Sequence, residues 1–327
     1  VFDTEVTLMP TPRSTVLTDG PASLYRFMPP EGTVMADAPP VLLVPSMINR
    51  WYVLDLRSGS SVAEAFVAAG LDTWLLDWGA PEDHDRYFTW GEALQRLDRM
   101  LRRVRRETGK KQVSVLGYCM GATLASVHAA LYPELYAGFV NLLGPIDFSE
   151  AGMLGRMTDP RWFDAEVVAA AGNVSPEQMQ SGFKLLRPTQ DVAKAVTLLE
   201  KAFDPVFRQS YQALETWAGD NVAFPAAAYT TYIQDLYQGN KLVQGQHHAL
   251  GRRVDLKHIT CPLLTVAAEK DTICPPKAAV ALNQAVGSKQ AKVLNVPGGH
   301  VGAVVGSKAS AKLYPELIGW MKERTCN

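Results

Sequence analysis

Apolar residues recur along this chain in two rhythms. Short runs rich in β-branched residues, bounded by proline or glycine, alternate with longer stretches whose apolar positions repeat at helical spacing. Pro40-Val41-Leu42-Leu43-Val44-Pro45 is one such run and predicts a buried parallel strand. Helical spacing over 61–69, stopped by Gly70, predicts the next helix, and Thr73-Trp74-Leu75-Leu76-Asp77 the next strand. Residues 90–106 place Leu94, Leu97, Met100, Leu101 and Val104 on one face, the pattern of an amphipathic helix, before the strand Val113-Ser114-Val115-Leu116. A helix over 123–131 and a strand over 138–143 follow. After Pro145 the alternation is lost. It resumes with the strand Pro262-Leu263-Leu264-Thr265-Val266-Ala267, a helix over about 277–286, the strand Val293-Leu294-Asn295-Val296 and a final helix over about 308–323. Strand and helix alternating on both sides of an interruption predict an α/β fold: a mostly parallel sheet flanked by helices, with a mainly helical cap inserted after the strand ending near residue 143. The boundaries expected are 1–145 and 259–327 for the core and 146–258 for the cap or lid.

Composition narrows the class. The chain has 327 residues, 47% of them apolar and 20% charged, which supplies a large core and excludes a disordered or fibrous protein. A formal charge of -1 gives no overall field to attract nucleic acid or an anionic membrane. Arg102, Arg103, Arg105, Arg106, Lys110 and Lys111 cluster, and read as the solvated end of an amphipathic helix. No apolar run reaches membrane-spanning length and no signal peptide opens the sequence, so the expectation is a cytoplasmic protein without a transmembrane segment. Four cysteines without tight spacing read as thiols, not as a disulfide framework or a metal knuckle, and no metal is expected. His247 and His248, being adjacent, cannot face one site from a helix and read as surface residues.

The candidate chemistry lies at the strand-to-helix junction Gly117-Tyr118-Cys119-Met120-Gly121. Flanking glycines permit a strained turn that pushes the central residue out at the top of the sheet. Because that turn feeds a helix N-terminus, the N–H of Met120 can hold an oxyanion and the helix dipole favours a thiolate. A small cysteine at such a junction can equally be a buried packing residue. Two companions decide between these readings. An α/β-hydrolase fold orders its triad as nucleophile, acid, histidine. Here Asp271 follows the strand ending near Ala267, and His300 follows the strand ending near Val296. Each candidate stands at the carboxyl end of its own strand, which predicts a Cys119–His300–Asp271 triad in which His300 takes the thiol proton and Asp271 fixes the imidazole. The second oxyanion donor is expected in the loop after the first parallel strand, as the backbone N–H of Met47 or Ile48; Ser46 and Asn49 could simply shape that turn.

These residues, with motifs along nearly the whole chain, resemble the polyhydroxyalkanoate synthases, in particular the short class III and IV catalytic subunits. The motifs are V-P-S-M-I-N-R-W-Y-V-L-D-L from Val44 to Leu56, L-D-T-W-L-L-D-W-G from Leu71 to Gly79, the box at 117–121, Y-Q-G-N-K-L from Tyr237 to Leu242, I-T-C-P-L-L-T-V-A-A-E-K-D-T-I-C-P-P from Ile259 to Pro276, and G-G-H-V-G from Gly298 to Gly302. The resemblance implies that Cys119 takes a 3-hydroxyacyl group from coenzyme A and that a hydroxyl then attacks the acyl thioester, lengthening a polyester. It implies no cofactor beyond the CoA thioester of the substrate, assembly as a homodimer and/or with a helper subunit, a place at the surface of polyester granules, and cap residues Trp217, Asp220, Asn221 and Pro225 covering the cysteine. Two positions depart from the family pattern. Ala122 stands where a second glycine is usual, and Thr272 where a histidine usually follows the acid. If that histidine assists elongation, its replacement favours transfer to water or another acceptor, so a thioesterase, an esterase or a non-polymerising acyltransferase with the same triad is the alternative. Cys274 reads as a small loop-packing residue.

Overall fold

A computed structural model describes residues 6–186, 200–201 and 203–324. Its first strands, β1 (Arg13–Asp19) and β2 (Ala22–Phe27), form an antiparallel hairpin at one edge of the sheet. The sheet continues with β3 (Val41–Val44), β4 (Thr73–Asp77), β5 (Val113–Tyr118), β6 (Tyr136–Leu142), β7 (Leu263–Ala268) and β8 (Ala291–Val296). Eight strands lie in the order β1-β2-β4-β3-β5-β6-β7-β8, and those from β3 onward pair in parallel. β3 and β5 are buried along their whole length, because helices cover both faces. Successive residues serve opposite sides. Leu42 and Val44 join one core cluster, while Val41 and Leu43 join the other.

Helices α1 (Val62–Ala68), α2 (Trp90–Thr108) and α3 (Met120–Leu131) belong to the first half of the chain. Thr89 caps α2, and Glu92 reaches back to complete the box. Arg102 pairs with Asp98 at 2.8 Å and Arg103 with Glu107 at 2.6 Å, both one turn apart, so these two arginines of the basic cluster spend their charge on the helix's own flank. α3 is buried from end to end, which suits a helix fixing a turn at its own N-terminus.

Between β6 and β7 the described residues form α4 (Gly152–Met157), α5 (Ala165–Ala169), α6 (Pro176–Leu185), α7 (Pro205–Gly219) and α8 (Ala226–Thr231), the last continued by a π-helical turn over Tyr232–Gln238. α9 (Pro276–Ala285), α10 (Gly302–Val305), α11 (Ala309–Lys312) and α12 (Tyr314–Lys322) complete the chain.

The structure departs from the sequence reading in three places. The β1–β2 hairpin is additional. β1 has no buried residue and β2 alternates buried Ala22, Leu24 and Phe27 with more exposed positions, so no continuous apolar run announces the hairpin, and Asp19-Gly20 is the turn signal that marks it, with Gly20 at φ 59°. The single helix expected over 308–323 is two short ones separated at Leu313. Pro315, in the first turn of α12, has no N–H to continue the ladder. His247 is fully buried, its Nδ1 3.4 Å from Asp235, whereas His248 is exposed on a two-residue strand; extended backbone sends neighbouring side chains to opposite sides.

Candidate active site

Cys119 sits between the last residue of β5 and the first of α3 with φ 55° and ψ −129°, a strained conformation for a residue with a side chain. Crowding around the elbow explains its glycines. A methyl on Gly121 would lie 2.1 Å from the carbonyl oxygen of Val44, and one on Gly117 2.4 Å from the Cα of Ala122. The extra methyl of Ala122 fits because Gly144 faces it; a methyl at 144 would come within 2.4 Å. Replacing Gly121 with alanine is therefore expected to destabilise the fold by about 3 kcal/mol or more, since two backbones would have to part. Urea unfolding checks this, and a loss under about 1 kcal/mol would show that β3 and α3 can separate.

The other two residues stand in loops joined by a hydrogen bond from the Lys270 N–H to the Gly298 carbonyl, 2.9 Å. Asp271 follows β7 and is buried. Its Oδ1 accepts from the backbone N–H groups of Ile273, 2.8 Å, and Cys274, 2.9 Å, while Oδ2 lies 2.7 Å from Nδ1 of His300. With the carboxylate so held, Nδ1 is the donor, which leaves Nε2 of the neutral ring as an acceptor. Nε2 is buried and makes no hydrogen bond of normal geometry among the described residues; the group it meets electrostatically is Cys119. Burial alone would lower the His300 pKa. The Cys119 sulfur and the Asp271 carboxylate outweigh that, and the pKa is raised to about 10. The arrangement favours a protonated imidazole beside the sulfur. Tyr118 stacks on the imidazole with ring centroids 5.4 Å apart and planes 27° apart. Burial pushes the Cys274 thiol well above the usual cysteine range, as befits a packing residue behind Asp271.

A cavity of about 620 Å³ opens over Cys119. Ile48, Asn49, Tyr118, Thr272 and His300 line it from the sheet side, and Gln180, Phe183, Lys184, Trp217 and Asn221 from the inserted segment. Three long-range hydrogen bonds fasten its roof. Trp217 Nε1 donates to the Arg50 carbonyl (2.9 Å), Asn49 Nδ2 to Asn221 Oδ1 (2.7 Å), and the Tyr52 hydroxyl to Asp220 Oδ2 (2.8 Å). Trp217 and Asn221 thus line the cysteine's cavity. Asp220 and Pro225 do not. Asp220 is turned toward Tyr52 and Arg50, and Pro225, which caps α8, lines a separate small cleft with Met47 and Trp78. Of the two residues considered as second oxyanion donor, Ile48 lines the Cys119 cavity and Met47 that cleft. Met120 opens α3, so its N–H has no carbonyl one turn back. Asn49, which from sequence could be a turn former, is a cavity-lining residue that the sequence reading did not place there, and Thr272 lines the cavity too. Among the described residues no group of three or more His, Cys, Asp or Glu is arranged to hold a metal ion, and no helix is long and apolar enough to cross a membrane.

Sheet order, elbow and acid–histidine pair define an α/β-hydrolase-fold protein with a cysteine at the elbow. The alpha/beta hydrolase fold family matches residues 39–307. The chain belongs, within that superfamily, to the poly(3-hydroxyalkanoate) polymerase family. It is 31% identical to the poly(3-hydroxyalkanoate) polymerase subunit PhaC of Allochromatium vinosum over 96% of this chain and 89% of that one. Identity to the subunit of the same name from Haloferax mediterranei is 33%, over 88% of this chain and 59% of that one, and to that from Haloarcula marismortui 31%, over 88% and 61%. The chain therefore spans about three-fifths of the length of these last two relatives. Among solved structures, a soluble variant of Saccharomyces cerevisiae monoglyceride lipase superimposes with a TM-score of 0.61 at 11% identity, covering 99% of this chain and 100% of that one. The thioesterase domain of the curacin biosynthetic pathway gives 0.53 at 16%, covering 95% and 99%. At such identities the likeness is one of fold.

Proposed function

We propose that the chain is an acyltransferase that polymerises 3-hydroxyacyl-CoA through a thioester on Cys119. The observation that carries this reading is the cysteine at a strained elbow beside a histidine whose other nitrogen is held by a buried carboxylate. The thiol proton rests on His300 Nε2, and the Cys119 thiolate sulfur attacks the thioester carbonyl carbon. The oxyanion is held by the N–H of Met120 and by an N–H from the Met47–Ile48 turn. As the tetrahedral intermediate collapses, the carbon–sulfur bond to CoA breaks and His300 returns the proton to the departing thiolate. In elongation the hydroxyl of another acyl group attacks the Cys119 thioester, its proton passes to His300, an ester bond forms and the Cys119 thiolate leaves. Thiol nucleophiles suit this exchange, because sulfur both attacks and leaves readily. Residues 146–258 act in this reading as a lid on a core of 1–145 and 259–327, and opening the seam at Trp217 and Asn221 admits substrate. The Cys119 thioester is the sole covalent intermediate, so no cofactor is required. Partners are the 3-hydroxyacyl-CoA, the growing polyester at a granule surface, and a second copy or helper subunit.

Incubation with 3-hydroxybutyryl-CoA tests the proposal: free CoA with insoluble polyester supports it. Free CoA with only soluble hydroxy acid favours the second reading, a thioesterase, for which the specific observation is Thr272 on the cavity wall where the family pattern has histidine. A pH profile tests the ion pair. His300 stays cationic until pH approaches about 10, so kcat/KM should hold its plateau through neutral pH and fall as pH rises through about 10. An alkaline limb near the ordinary histidine pKa of ~6.5 would show that thiol and imidazole are not coupled.

A further inference from the structure

The Asn49–Asn221 pair closes the cavity roof, and its hydrogen bonds fix which way each amide faces. Asn221 Nδ2 donates to the backbone carbonyl of Ala218 at 2.9 Å, and a carbonyl can only accept, so the NH₂ group of Asn221 is set. Its Oδ1 is then the acceptor toward Asn49, and the atom of Asn49 that meets it at 2.7 Å is necessarily Nδ2. An antiparallel bridge between the two backbones holds the residues in register. Asn49 lines the cavity that contains Cys119, and by elimination its Oδ1 is the amide atom left as an acceptor, to which no hydrogen bond is made among the described residues. Asn49 follows Ile48, which lines the same cavity, so it adjoins the turn proposed to supply the second oxyanion donor.

We propose that Asn49 Oδ1 accepts the hydrogen bond of the substrate's 3-hydroxyl group and thereby selects 3-hydroxyacyl over plain acyl thioesters. The inference rests on the thioester reading above. A 3-hydroxyl stands two carbons from the carbonyl that Cys119 attacks, within the span of neighbouring groups on one cavity wall. A plain acyl chain leaves the amide oxygen bare after displacing water from it, and a site that loses a hydrogen bond in this way discriminates against the analogue. A shared cap–core latch is a second duty of the same pair, and the two duties separate in the substrate ratio. Loosening the cap slows both substrates alike, whereas losing the acceptor slows only the one that carries the hydroxyl.

The test is single-turnover CoA release from 3-hydroxybutyryl-CoA and from butyryl-CoA, with the acyl adduct on Cys119 followed by intact-protein mass. The unaltered chain should favour the hydroxylated substrate by about tenfold or more. Asn49→Leu, similar in volume but without an acceptor, should slow the hydroxylated substrate about tenfold more than the plain one, bringing the ratio near one; Asn49→Ala serves if the leucine variant does not fold. A ratio near one in the unaltered chain, or a ratio that both variants preserve, overturns the assignment while leaving the thioester mechanism standing. Absence of any Cys119 adduct with either substrate overturns the mechanism itself, and this inference with it.

Discussion

Replacing Cys119 with alanine is expected to abolish CoA release from 3-hydroxyacyl-CoA, a loss of at least about 10⁴-fold. The nucleophilic atom disappears and nothing nearby replaces it. Cys274, whose thiol interacts electrostatically with Cys119, is buried behind Asp271 with its ionisation pushed well upward. Because alanine keeps the Cβ, the elbow geometry and the packing of Gly117 and Gly121 survive, so the fold should persist. A second consequence separates loss of chemistry from loss of structure. The raised pKa of His300 depends on the sulfur as well as on Asp271, so in the alanine variant the imidazole should titrate below about 10. Its ring proton resonances followed against pH would show this. Undiminished CoA release would remove the covalent mechanism.

Asp271→Asn is expected to lower kcat/KM by about 10²- to 10³-fold with little loss of stability. The ~10⁴-fold loss seen for such a change in a serine triad is an upper guide, since a thiolate is intrinsically more nucleophilic than an alcohol. The asparagine oxygen can still accept from the Ile273 and Cys274 N–H groups, so the loop keeps its shape. Its NH₂ group then faces Nδ1 of His300 where a carboxylate oxygen stood at 2.7 Å. Two donors cannot share that contact, and the ring is forced into the tautomer that presents Nε2–H to the sulfur. The variant should also lose the plateau toward pH 10, because removal of the carboxylate takes away one of the charges sustaining the imidazolium. A variant of wild-type rate would make Asp271 a loop-capping residue only.

The central parallel strands were legible because a strand buried on both faces is a continuous apolar run; Cys119 and Asp271 stand just past the carboxyl ends of two such strands, whereas His300 follows the edge strand β8, which is mostly exposed or half-buried. Elements that lie half in water leave no such mark. β1 and β2 pair at the sheet edge with mixed exposure, so only Asp19-Gly20 betrays them. The cavity roof was legible in composition but not in placement. Trp217 and Asn221 meet Arg50 and Asn49 across separations of 167 and 172 residues, and no local period encodes such a pairing. Pro225 follows Asn221 closely in sequence, yet the turn before α8 carries it to the Trp78 cleft. His247 escaped for the converse reason: adjacent histidines look exposed together, while extended backbone buries one and exposes the other.

The most direct test of the central claim is peptide mass analysis of the protein quenched in acid after a brief exposure to 3-hydroxybutyryl-CoA. The account predicts the mass of one or more 3-hydroxybutyryl units on the peptide that carries Cys119, present in the Asp271→Asn variant at a slower rate and absent from the Cys119→Ala variant. An acyl group found on Cys274 or elsewhere, or CoA released with no acylated Cys119 at any time, would contradict it.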